Sequence, residues 1–334
     1  MGRSDDDAAG ASGRRPEGLG PLVPFRRGRF EDLPEAPWKP HRFAATRLER
    51  VPVTTAELGA CTAAVRTYGA GPPLLLIHGL MTTSYSWRYL LEPLGARYTL
   101  YMPDLPGNGD SDRPQDRAYH PEALAAWLGA VQRALGIRGG PVIGNSMGGY
   151  LAMRLALRDP EAMSRLVNLH SPGVPEARLW ALRIGLAVPG VKRLLARVAR
   201  RAPERWVHRN VHYWDESLKS REEARIYGGQ LASVEGSRAF VKHLAETMAI
   251  GPIRDFQRTL RARRAAGQPF PVPLLLLYAE RDPMVPPRFG DVLAGLIPDA
   301  RLVRLGEASH FAHVDAVERF LPPVLEFLAA ADAR

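Results

Sequence analysis

The sequence predicts an α/β protein: a mostly parallel central sheet, helices flanking it, and a helical cap inserted late in the chain. Three observations carry this expectation. Short all-apolar runs, PPLLLIHG at 72–79, PVIG at 141–144 and PVPLLLLYA at 271–279, are too short for helices and suit strands buried on both faces. Helical patterns alternate with them, the rhythm of parallel strands joined by crossovers. Between 172 and 268 the rhythm breaks, and helical stretches follow one another without a buried-strand run.

Residues 1–45, rich in Gly, Pro, Arg and acidic residues, read as a disordered tail and lead-in. RLERVPVTT (47–55) and CTAAVRTYG (61–69) read as strands, and the 72–79 run as a third. SWRYLLEPLG (86–95) is helical, and YTLYMPDLPGNGDSD (98–112) is a strand running into a Gly/Pro/Asp loop. HPEALAAWLGAVQRALG (120–136) is an amphipathic helix with Pro121 near its start and Gly136 as its stop. After the 141–144 strand come a helix, GYLAMRLALRD (149–159), and a strand, SRLVNLHSPG (164–173). Within the cap, GVKRLLARVARRAPERWVHR (190–209) sets Val191, Leu194, Leu195 and Val198 on one face and Arg193, Arg197 and Arg200 on another. A helix inside a fold normally packs its apolar face, so membrane-surface contact through this stretch is the disfavoured reading. The α/β rhythm resumes at 271, with a helix around RFGDVLAGLI (288–297), a strand ARLVRLG (300–306) and a closing helix PPVLEFLAAADA (322–333). The domains expected are thus a core of 46–171 and 269–334 and a cap of 172–268.

Hydrophobic residues at 46% and charged residues at 24% are an ordinary globular balance. The single cysteine, Cys61, excludes an internal disulfide and a cysteine-rich zinc site. The first residues lack the basic start and apolar stretch of a secretory signal, and no apolar stretch approaches the roughly 20 residues of a membrane span, so a cytoplasmic protein is expected. The net charge of +10 is carried by arginine, without a helix-turn-helix, RNP or Cys/His signature, and no nucleic-acid partner is expected.

GNSMGG (144–149) places Ser146 directly between a buried-strand run and a helix. A nucleophilic serine must stand clear of other side chains and near backbone N–H groups that can meet an oxyanion; a sharp strand-to-helix turn provides both, and glycines let it close. The hydroxyl needs a base, and the base an orienting carboxylate. Asp282 follows the run LLLLY and His310 follows ARLVRLG, each just past a strand and in the chain order serine, acid, histidine. His313 competes less well on loop position, and His170, at the end of the strand before the cap, is read as lining the pocket or structural. The oxyanion hole is assigned to the N–H groups of Leu80 and Met147. His78 is read as structural, and Asp104, Asp110 and Asp112 as turn residues bonded to backbone. Trp180, Trp206, Tyr213 and Trp214 are candidate walls of a pocket for an apolar acyl substrate.

LLLIHGLM, YMPDLPGNGDSD, GNSMGG, YAERDPMVP and SHFAH, in this order, resemble the α/β-hydrolase fold superfamily, in its capped epoxide-hydrolase-like and esterase-like branch. The resemblance covers about residues 50–332. It implies a serine hydrolase of carboxylic esters or related acyl compounds, with no cofactor and no metal. A serine in place of an aspartate nucleophile argues against epoxide opening and dehalogenation. Ala279 and Ser309 stand where glycines are common. GNSMGG also resembles serine hydrolases that cleave carbon–carbon bonds in ring-fission products, whose glycine-rich oxyanion loop and tryptophan after the histidine are replaced here by LMTTSYSW and Phe311. Thioesterase, lactonase and cofactor-free peroxidase chemistry, and a ligand-sensing protein on the same fold, stay open at this point.

Overall fold

The computed structural model describes residues 22–330, so the first 21 residues of the expected tail lie outside it. Eight strands form one sheet: β1 Arg47–Val51, β2 Ala63–Tyr68, β3 Pro73–Ile77, β4 Thr99–Pro103, β5 Val142–Asn145, β6 Leu166–Leu169, β7 Leu274–Ala279 and β8 Arg301–Leu305. Their spatial order is β1-β2-β4-β3-β5-β6-β7-β8. β1–β2 and β2–β4 are antiparallel, and every other neighbouring pair is parallel. Strands β5, β6 and β7 are buried along their whole length between two helical layers, β7 as an all-apolar run and β5 and β6 with one buried asparagine each, Asn145 and Asn168.

The stretch 47–55 is one strand and half of a small ribbon: Thr54–Thr55 pairs with Gly59–Ala60, apart from β1, because Pro52 has no N–H for the ladder. The expected 86–95 helix is divided into a 3₁₀ turn, Ser84–Trp87, and α1, Leu91–Gly95. Helix α2, Pro121–Leu135, starts on its proline and ends on Gly136 at φ 67°, whose N–H returns to the Arg133 carbonyl. Helix α3, Met147–Arg158, leaves directly from β5.

Between β6 and β7 lie α4 Ala177–Ala187, α5 Val191–Arg201, α6 Pro203–Asn210, α7 Arg221–Gly229, α8 Val234–Lys242 and α9 Ile250–Ala265. The 190–209 run is two helices, since Pro203 ends α5 and takes the first position of α6. The expected packing of its apolar face holds only in part: α5 meets α8 and fully buries only Ala196 and Ala199, Leu195 packs half-buried against the core and Val191 is half-buried, while Leu194 and Val198 stay exposed. Small residues let the helix pack closely through a side other than the large aliphatic one.

This helical segment is tied to the core by buried polar groups. Arg88, beyond β3, is paired with Glu223 of α7, which also receives the Tyr213 hydroxyl. Residues of the lead-in run across it, where the N–H groups of Arg221 and Glu222 donate to the carbonyls of Pro34 and Glu35 at 2.8 and 3.1 Å. The chain closes with α10 Arg288–Leu296, α11 Ala312–Asp315 and α12 Val317–Ala329. No helix among the described residues is long and apolar enough to cross a membrane.

Candidate active site

The carboxyl ends of the central strands converge on one hollow. Ser146 stands between β5 and α3 at φ 52° and ψ −118°, a backbone conformation strained for any residue with a Cβ. Its N–H donates to the Leu169 carbonyl at 2.7 Å, which pins the turn to β6. The flanking glycines are sterically required: a Cβ on Gly144 would lie 2.6 Å from Gly149, and one on Gly148 would lie 2.2 Å from the Ile77 carbonyl oxygen.

His310, in the loop after β8, places Nδ1 2.6 Å from Oδ2 of Asp282, which stands beyond β7. The other carboxylate oxygen, Oδ1, accepts the N–H groups of Met284 and Val285 at 2.7 and 2.9 Å. Burial alone would raise this carboxyl, but the His310 charge, its hydrogen bond, and lesser contributions from His170 and the Val285 N–H hold it below the usual carboxylate range. The buried carboxylate therefore holds the ring proton of His310 on Nδ1 and leaves Nε2 turned away from it.

Ser146 and His310 line the same cavity, of about 230 Å³, and the Ser146 hydroxyl makes no hydrogen bond to another described residue. The remaining wall is mostly apolar: Leu80, Leu179, Leu182, Leu244, Met248, Met284, Val285, Phe289 and Phe311. Asn145 lines it too, with both amide atoms buried and unpaired among the described residues. Arg178, the cation at the wall, is held by Glu176 and by the Met284 carbonyl.

The model for the alpha/beta hydrolase fold matches residues 72–317. The chain belongs to the α/β-hydrolase fold family. It is 31% identical over 269 residues to the 2-hydroxymuconate semialdehyde hydrolase of Pseudomonas sp. (strain CF600), covering 79% of this chain and 89% of that one. It is 32% identical over 273 residues to the enzyme of the same name from Pseudomonas putida, with 79% and 90% covered. Among solved structures, a thermophilic esterase from Thermogutta terrifontis superposes with a TM-score of 0.66 at 22% identity, over 84% of this chain and 98% of that one.

In this α/β hydrolase, Leu80 lies at the cavity wall and Met147 at the first position of α3; neither N–H is bonded to another described residue. His170 does not line the cavity. It is fully buried at φ 53°, its ring 5.3 Å from that of His310, and its Nε2 accepts the Ala279 N–H at 2.7 Å. Burial pushes its pKa down to about 3, against the pull of Asp282. His170, Asp282 and His310 offer atoms within 4.8 Å of one another, the spacing of a metal site. His170 Nε2 and both Asp282 oxygens already accept hydrogen bonds that a metal would have to displace, and His310 Nδ1 is turned to Asp282, which leaves His310 Nε2 as the open nitrogen on the Ser146 side.

His78 is structural, giving Nδ1–H to the Gly79 carbonyl and accepting the Leu105 N–H. Asp104 accepts the N–H groups of Ser84 and Asp110, and Asp112 that of Thr62; Asp110 instead pairs with Arg66. The aromatic wall is corrected. Trp180 points to solvent, Trp206 packs on Phe240, Trp214 stands edge-on to Phe25, and Tyr213 is buried one layer back, against Phe311. The wall is instead aliphatic, from α4 and the 244–248 turn. The spacing of Leu179, Leu182 and Leu186 in ARLWALRIGLA is the sequence signal for this wall, and Trp180 lies on the other face of the same helix.

Proposed function

We propose that this α/β hydrolase is a serine hydrolase that works through an acyl-enzyme on Ser146. The observation that carries the reading is the strained, glycine-flanked Ser146 in one cavity with an Asp282-bonded His310. As Oγ attacks the substrate carbonyl, His310 Nε2 takes its proton and the N–H groups of Leu80 and Met147 receive the oxyanion. The imidazolium, countered by Asp282, then protonates the leaving group, and water activated by the same His310 releases the acyl group. The helical segment 172–268 acts as a cap, and its leucines and Met248 select a small apolar acyl group.

The site supports an oxygen ester as substrate. A carbon leaving group departs as an enolate that calls for a cation, and Arg178 is already engaged by Glu176. The specific observation favouring a carbon–carbon bond as substrate is the likeness to the two 2-hydroxymuconate semialdehyde hydrolases. An ester series of graded acyl length assayed beside 2-hydroxymuconate semialdehyde separates these readings. A fluorophosphonate tests what they share: it should label wild type and not Ser146→Ala, and undiminished labelling of the variant would sink both.

A further inference from the structure

Helices α4 and α5 present a face that the rest of the described molecule leaves largely open, with Arg254 of α9 over one edge of it at the Trp180 ring. A helix of a globular protein normally turns its large apolar side chains to one buried face. In α4, Leu179, Leu182 and Leu186 line interior hollows, while Trp180 and Ile184 are 41% and 67% exposed and Val188 just beyond is 51% exposed. On α5, Leu194 and Val198 add 56% and 49%. These five are half of the ten large apolar side chains that the described residues expose, gathered on two consecutive helices.

The same stretch is uniformly cationic. Residues 177–203 contain Arg178, Arg183, Lys192, Arg193, Arg197, Arg200 and Arg201 and no acidic residue. Arg178 pairs with Glu176, but among the described residues Lys192, Arg193, Arg197, Arg200 and Arg201 form no ion pair. Exposed aliphatic side chains beside unpaired arginines match the two layers of an anionic bilayer surface, acyl boundary and phosphate. A second copy would set seven cations against seven, and a nucleic acid would leave the apolar side chains in water.

We infer that α4 and α5 dock this protein on an anionic lipid bilayer, with Trp180, Ile184, Val188, Leu194 and Val198 entering the acyl boundary and the α5 cations meeting headgroup phosphates. The docked face adjoins the site. Leu179, Leu182, Leu244 and Met248 line both the Ser146 cavity and a second hollow, which reaches Arg183, Ala187 and Lys192 on that face.

The test is flotation of the full chain with vesicles of equal parts phosphatidylglycerol and phosphatidylcholine, and with phosphatidylcholine alone. Wild type should float with the first at least about tenfold more tightly than with the second, and added salt should weaken it. Ile184→Glu/Leu194→Glu and Lys192→Gln/Arg193→Gln/Arg197→Gln change exposed side chains, so both should keep the wild-type circular dichroism and lose about tenfold or more in binding to the anionic vesicles. Ser146→Ala should bind like wild type, which separates docking from the acyl-enzyme reading. The inference is overturned if wild type does not bind anionic vesicles, or if the Ile184→Glu/Leu194→Glu variant binds them as well as wild type. It is equally overturned if sedimentation shows a wild-type dimer that this variant dissolves, the face then belonging to a second copy.

Discussion

Replacing Asp282 by Asn tests the orientation of the candidate base more sharply than removing it. In the wild type, Oδ1 accepts two backbone N–H groups, from Met284 and Val285, and Oδ2 faces His310 Nδ1 at 2.6 Å. An asparagine amide has one acceptor oxygen, and the two fixed N–H donors claim it. Its NH₂ must then face His310, which can satisfy it only by putting the ring proton on Nε2, the nitrogen assigned to receive the Ser146 proton. The imidazolium also loses its buried counter-charge. The same exchange in a serine protease of unrelated fold costs about 10⁴ in kcat, so a loss of roughly 10³ to 10⁴, about 4 to 5.5 kcal/mol of transition-state stabilisation, is expected here. The assay is turnover of the best chromogenic ester across pH 6 to 9, with circular dichroism to verify the fold. A variant within about tenfold of wild type, near 1.4 kcal/mol, would mean that Asp282 does not orient the base.

Two further outcomes follow from the geometry. Leu182→Trp should fill the aliphatic wall and lower kcat/KM for a hexanoyl ester by about tenfold while changing the acetyl ester less than about twofold, whereas Trp180→Ala should leave the order of the series intact; the reverse pattern would restore Trp180 as a selector. Burial pushes the Asp315 carboxyl up to about 7, against the N–H groups of Ser309 and Trp214 that it accepts. The folded state thus keeps a proton that an unfolded carboxyl, near 3.9, gives up, so this stabilisation is complete below about pH 4 and lost as pH rises through 7, by at most about 4 kcal/mol. Thermal melts of wild type should therefore fall between pH 5 and 8 more steeply than those of Asp315→Asn, and parallel slopes would refute the assignment.

The strands were legible where both faces are buried, because an all-apolar run such as LLLLYA fits a parallel strand between two layers and little else. Ser146 and Asp282 could be picked out because each closely follows such a run, and His310 because it stands in the loop after the mixed run of β8, in the chain order serine, acid, histidine. Helices in the inserted segment were legible as elements and poorly legible in orientation. α5 carries both an aliphatic and a cationic stripe, and nothing local says that it packs through Ala196 and Ala199 instead. The four aromatic residues of the segment looked like pocket walls by size alone, yet size does not reveal direction.

By itself, then, the sequence determined the α/β alternation, the serine turn and the chain order of the chemical groups. These depend on contacts within a few residues: hydrophobic period, glycine clearance and strand ends. Tertiary structure alone decided that leucines of α4 and Met248 rather than tryptophans line the hollow, that His170 lies behind His310 and outside the cavity, and that Leu194 and Val198 remain in the open. Each of those is a matter of which face of an element meets which neighbour, set by packing between segments far apart in the chain, and no local pattern encodes it.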